Sequence, residues 1–209
     1  MSGKRAQNAA LLKLKCHYSL QKMLETRRFE EVKVMEICKE AAISKVTFFK
    51  YFVCKEELLR YSFRVWCFLL TIELKKNPIR GLEGVYFIFD RVSTDLQKRP
   101  SFFYALIAYQ MNDERLQSPF PINKEERKNF ISEKDYTEIP EIQSLQQMIE
   151  NFVLEAVFDK ELNYSNPAEI CETLLILLYG NIVRMGMTKQ FTPKFKSKQI
   201  VDRVLKTYK

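Results

Sequence analysis

One histidine in 209 residues, five glycines and a single tryptophan define what this chain does without. His17 stands alone, the five cysteines (Cys16, Cys38, Cys54, Cys67, Cys171) are scattered, and no C-x-x-C or Cys/His cluster occurs. No metal site is therefore expected. Cys38 and Cys67 sit in apolar surroundings and read as core. Cys54, beside Lys55 at a helix start, is the one thiol placed for a lowered pKa and a redox-sensing role, or it is simply an imperfect helix cap. There is no glycine-rich phosphate loop, no nucleophile elbow and no evident acidic partner for the histidine. An enzyme is disfavoured, and no cofactor is expected. Long apolar runs are missing too. A run such as Leu174 to Tyr179 falls far short of the roughly 20 residues that span a bilayer. Lys13 and Lys15 interrupt the only early apolar stretch, so no signal peptide is read. The expectation is a cytoplasmic protein without membrane association.

What is present is ordinary for a globular chain: 46% hydrophobic and 29% charged residues, with length enough for one or two domains. Seven prolines and the few glycines mostly punctuate helices. The formal charge of +8 is unevenly placed. Residues 1–56 hold 12 Lys/Arg against 6 Asp/Glu, whereas the rest holds 22 against 20. A basic excess confined to one end is the electrostatic footprint of a nucleic-acid-binding segment.

That end contains the most informative stretch, KVMEICKEAAISKVTFFKYF at 33–52. Val34, Ile37, Cys38 and Ala41 recur at helical spacing on a short helix, and Ala41-Ala42 permit a close crossing. Ile43 fills the corner, and Ser44 is placed to cap the next helix. On that second helix Phe48 and Phe52 share one side at i, i+4 spacing, leaving Lys45, Thr47 and Lys50 for the other surfaces. This is the layout of a helix-turn-helix, whose second helix enters the major groove by its N-terminal residues.

The segment resembles the DNA-binding domain of the TetR (tetracycline-repressor-like) transcriptional regulators. Phe29, Val34, Ile37, Ala41, Ser44, Thr47, Tyr51, Phe52, Lys55, Glu56 and Leu58 fit that family's pattern without a gap. There are departures. Arg28 stands where the family prefers a glycine, and a left-handed conformation there would cost roughly 1 kcal/mol. Lys33 replaces a capping Thr, Ala42 the turn glycine, Val46 a small residue, and Cys54 a Ser or Asn cap. Phe49 replaces a tyrosine whose hydroxyl touches a phosphate, so one phosphate contact should be missing.

Beyond the motif the chain reads as helical throughout. A first helix at 6–26 carries Leu12, Cys16, Leu20, Met23 and Leu24 on one face, covering the helix-turn-helix. A long helix at 55–76 leads onward until Asn77-Pro78 stops it. Helices follow at 80–98 and 100–112. An irregular stretch at 113–137 reads as a long loop with one short helix, the best candidate for a mobile region. Helical periodicity resumes at 138–162. Asn166-Pro167-Ala168-Glu169 is a start signal for a helix at 167–188. That helix is apolar all round and needs burial on both sides. A last helix spans 194–207.

The fold expected is all-α: a three-helix DNA-binding domain at 1–54, with its helix-turn-helix at 33–52, and a larger helical ligand-binding and dimerisation domain at 55–209. The function expected is a ligand-responsive homodimeric regulator, most simply a repressor, on a pseudo-palindromic double-stranded DNA operator. Lys45, Thr47 and Lys50 are the expected contacts from the recognition helix, and Val46 is placed for a thymine methyl. Lys33 and Lys55 would anchor phosphates, and Ser44, Phe49 and Tyr51 complete the surface. Trp66, Phe89, Phe103, Tyr109, Gln110, Tyr179 and Arg184 are candidates to line a site for an apolar or aromatic small molecule. Asn181 and Arg184 could equally bridge a dimer. Leu174, Leu178, Val201, Val204 and Leu205 are the expected dimer interface, through the last two long helices as the resemblance implies. The alternative is the same fold acting through protein partners, with operator binding weakened by the substitutions at 33, 46, 49 and 54.

Overall fold

A computed structural model describes residues 2–112, 122–131, 144–163, 166–188 and 197–208. Among them every regular element is helical. The α-helices are α1 (Ser2–Met23), α2 (Val34–Glu40), α3 (Lys45–Tyr51), α4 (Lys55–Lys76), α5 (Gly81–Lys98) and α6 (Pro100–Asn112). They continue with α7 (Lys124–Arg127), α8 (Leu145–Phe158), α9 (Pro167–Thr188) and α10 (Ser197–Leu205). Short 3-10 turns occupy Phe29–Glu31 and Lys206–Tyr208. The expected helix ends at Pro78 and Pro167 are where the chain places them. The irregular stretch is described only at 122–131, where a one-turn helix forms; its remainder lies outside the described residues.

The helices pack as two compact units, Met1–Ile72 with Ser101–Ile142, and Glu73–Pro100 with Gln143–Lys209. In the first, α1 closes over the α2–α3 pair and Leu20, Leu24, Ile37, Phe48, Phe52 and Leu58 are buried. His17 belongs to this interior, its Nδ1 2.9 Å from the Ser62 hydroxyl of α4. The short α7 docks on α1. Its Glu126 carboxylate is fully buried and meets the Lys13 ammonium at 2.8 Å. The backbone and side-chain N–H groups of Asn123 donate to the same carboxylate at 3.0 and 3.2 Å. A buried charge is tolerated only when paired and hydrogen-bonded in this way. Arg127 lies over the Phe68 ring of α4, and Phe130 meets that ring edge-on.

In the second unit α5 packs on α8, α8 on α9 and α10 on α5. Gly84 makes the first of these contacts close, since a Cβ there would fall 2.1 Å from the Phe152 ring. Gly81 opens α5 at φ +54, a conformation that suits glycine, and the Leu82 N–H behind it donates to Glu161 at 2.8 Å. The core is Val85, Ile88 and Phe89 against Ile149, Phe152 and Val153, with Ile170, Leu174 and Leu178 from α9. Tyr86 donates a short hydrogen bond to Asp202 of α10.

Candidate nucleic-acid interface

The corner between α2 and α3 is a Schellman turn. The Ile43 N–H returns to the Cys38 carbonyl at 3.0 Å and the Ala42 N–H to the Lys39 carbonyl at 3.2 Å. Such a turn needs a left-handed residue, and Ala42 supplies it at φ 54. The backbone strain expected at Arg28 is not there; that residue is extended, at φ −75 and ψ 148. The chain replaces both of the family's glycines but bends left-handed only at the second.

Helix α3 starts on Ser44, whose hydroxyl accepts the Thr47 N–H at 3.0 Å and lies 2.8 Å from the Thr47 hydroxyl. Its inner side buries Phe48 and Phe52, and the ring of Phe52 leads on to Tyr61 of α4 at 5.6 Å. This aromatic ladder fixes the axial rotation of the helix. Val46 is thereby turned outward at 82% exposure, Phe49 is 42% exposed, and Lys45 and Lys50 are exposed. The Lys45 ammonium lies 5.7 Å from the Phe49 ring centre and that of Lys50 5.9 Å from Tyr51. Thus Ser44, Lys45, Val46, Phe49 and Lys50 share one exposed surface, with Thr47 and Tyr51 half-buried at its margins. The first-turn N–H groups and the cations around them suit an anionic backbone.

Two ion-backed clamps orient this surface. Glu36, third residue of α2, accepts the Lys33 N–H at 2.9 Å and the Arg27 guanidinium at 2.8 and 3.0 Å. Arg27 and then the Lys33 N–H hold its carboxyl down at about 2. Lys33 thus serves the helix start through its backbone, and its side chain is exposed at the rim. Lys55 forms the second clamp. Its ammonium donates to the carbonyls of Phe29, Glu30 and Val32 at 2.9, 3.3 and 3.2 Å and lies 4.5 Å from the Phe29 ring centre. A lysine with this many backbone acceptors fastens the turn before α2 to the start of α4. Sequence reasoning placed the residue at a helix start but missed this use, because the acceptors lie more than 20 residues away in the chain. The reading of Cys54 as a redox sensor is corrected: burial pushes its thiol up, not down, and the group faces the Glu56–Glu57 backbone as a cap.

The other expected sites are distributed as follows. Trp66 and Phe103 meet edge-to-face at 5.7 Å within the first unit, where Tyr109 is half-buried. In the same helix as Phe103, the Tyr104 hydroxyl is buried with no hydrogen-bond partner among the described residues. Phe89 is core in the second unit, where Tyr179 is half-buried and Arg184 donates to Asn181 at 3.3 Å. The side chain of Gln110 lies outside the described residues. The expected dimer residues need correction. Leu174, Leu178, Val201 and Leu205 are buried within a single chain, and Val204 is half-buried. The large apolar residues of α9 left outside are Ile176, Val183 and Met187, at 65%, 42% and 81% exposure. This helix is also long and apolar enough for a membrane span by length and composition, with a minority of its residues buried.

Residues 22–61 match the family of bacterial regulatory proteins called tetR. Among solved structures, the chain superimposes on a TetR transcriptional regulator from Rhodococcus sp. RHA1 with a TM-score of 0.62. The match covers 94% of each chain at 14% identity. A TetR transcription regulator from Haloarcula marismortui ATCC 43049 gives a TM-score of 0.63 at 13% identity, over 94% of this chain and 97% of that one. A search among curated proteins finds no sequence match. The matched segment coincides with the capped, outward-facing α2–α3 pair: residues 22–61 form a tetR-type helix-turn-helix DNA-binding module, in a chain whose fold is that of the TetR regulators over nearly its whole length.

Proposed function

We propose that the protein is a ligand-responsive repressor that binds a pseudo-palindromic operator as a homodimer. The observation that carries this reading is the exposed α3 surface, with Val46, Phe49, Lys45 and Lys50 held outward by the buried Phe48 and Phe52. The functional boundary falls after residue 54: the helix-turn-helix reads DNA, and the rest of the chain dimerises and senses. Dimerisation runs through the outer line of α9. Ile176, Val183 and Met187 recur there at helical spacing around an exposed Gly180, a small residue that permits close approach of a second helix.

The effector is an apolar or aromatic small molecule. The support is the Trp66–Phe103 cluster together with the buried Tyr104 hydroxyl, which has no partner among the described residues and which a ligand acceptor would satisfy. Coupling runs through α4, which is continuous from Lys55 to Lys76 and fastened at its start to the turn before α2. A coupling of about 1–3 kcal/mol between effector and operator, roughly 5- to 150-fold in affinity, is typical of such linkage. The test is a mobility-shift titration on DNA fragments selected from the genome, alone and with a library of apolar compounds. Selective, salt-sensitive binding that a compound weakens supports the reading. No enrichment of any fragment would turn the assignment toward a regulator acting through protein partners.

A further inference from the structure

We infer that the recognition helix reads a thymine through Val46 and a guanine through Lys50, about two base pairs apart in each half-site. The inference rests on the operator-binding reading above. At about 100° per residue, the burial of Phe48 and Phe52 puts Val46 and Lys50 on the opposite side of α3, one turn apart along its outermost line. Four residues advance the helix by about 6 Å, close to two base-pair steps of 3.4 Å.

Val46 is the second residue of the helix, at the end that meets base edges, and its branched side chain offers neither donor nor acceptor. The thymine C5-methyl is the apolar group that a major groove presents to such a side chain. Of its neighbours in the first turn, the Thr47 hydroxyl is held 2.8 Å from Ser44, and Lys45 lies about 100° round the helix from Val46, off the outermost line. Lys50, one turn on along that line, carries three donors, and O6 and N7 of guanine accept from a lysine. The cations at Lys33, Lys39, Lys45 and Lys50 surround the apolar group, which favours DNA over an apolar protein surface as its occupant.

The full-length protein first selects a site from a random duplex pool. Fluorescence anisotropy then scans that site, with each thymine replaced by deoxyuridine and each guanine by 7-deazaguanine. One thymine per half-site should lose about 3- to 10-fold in affinity with its methyl, and Val46→Ala should be insensitive to that change. A guanine about two base pairs away should behave in the same way toward Lys50→Met. Both positions are exposed, so circular dichroism should report unchanged folding. Tight selected binding with a flat deoxyuridine scan overturns the inference and leaves operator binding intact. A thymine that stays methyl-sensitive in Val46→Ala overturns the assignment to Val46. Failure to enrich any sequence overturns both readings together.

Discussion

Lys13 of α1 and Glu126 of α7 form a 2.8 Å ion pair whose carboxylate is fully buried, so a segment far along the chain is tied to the first helix of the DNA-binding unit. Removing Lys13 would leave the fully buried Glu126 carboxylate without its cation. Lys13→Met should therefore lower stability by about 3–5 kcal/mol, whereas the double replacement Lys13→Met/Glu126→Leu should cost much less. Urea unfolding of the three proteins measures both. A single variant within 1 kcal/mol of the parent would contradict the clamp.

Ala42 carries the left-handed residue of the Schellman turn with a Cβ it does not need. Ala42→Gly should relieve that strain and raise stability by about 0.5–1 kcal/mol. Ala42→Val should lower it by more. Thermal unfolding checks the sign, and a destabilised glycine variant would exclude strain at this corner.

The Glu36 carboxyl is lowered from 4.5 to about 2, first by the Arg27 guanidinium and then by the Lys33 N–H. A depressed folded-state pKa contributes stability that is complete above the unfolded value and is lost as pH falls through the folded one. The contribution should hold above about pH 4.5 and fade toward pH 2. In Glu36→Gln this part of the acid dependence should vanish. Unfolding curves taken across that window read it directly, and an unchanged slope in the variant would rule out the Arg27–Glu36 clamp as its source.

Because Lys55 is spent on three carbonyls and Lys50 is assigned to a base, the cations left for phosphates at the helix-turn-helix are Lys33, Lys39 and Lys45. About six contacts per dimer give a log–log salt slope near −5. Lys55→Met should lower stability by about 1–3 kcal/mol and weaken DNA binding without changing that slope. Lys33→Met should instead make the slope shallower by roughly 2 per dimer. A shallower slope in Lys55→Met would return that residue to the phosphate contacts.

Light scattering distinguishes the outer from the inner residues of α9. Val183→Glu or Met187→Glu should give a folded monomer, because each places a charge on the proposed interface. Leu174→Glu should unfold the chain instead, since that side chain is buried within one unit. A parent protein that is monomeric at micromolar concentration would remove the dimer proposal.

Helix ends and the inner side of α3 were readable from the chain itself because their causes are local. Ser44 three residues before its Thr47 N–H, Pro167 opening α9, and Phe48 with Phe52 at i, i+4 all act within one or two turns. The helix-turn-helix was legible for the same reason. The strain was not: which of Arg28 and Ala42 bends left-handed depends on where the Schellman hydrogen bonds close, and only the folded corner places them at Ala42. Lys55 had looked like a surface cation, and its three carbonyl acceptors become neighbours only when the turn before α2 meets the start of α4. On α9 the apolar residues run all round, so periodicity could not say which leucines face inward. Packing against α8 gave that side to Leu174 and Leu178 and left Ile176, Val183 and Met187 outside. Local hydrogen bonding and spacing therefore determined the elements and the motif. Burial, which exists only between elements distant in sequence, decided which charges are committed and which apolar residues remain for a partner.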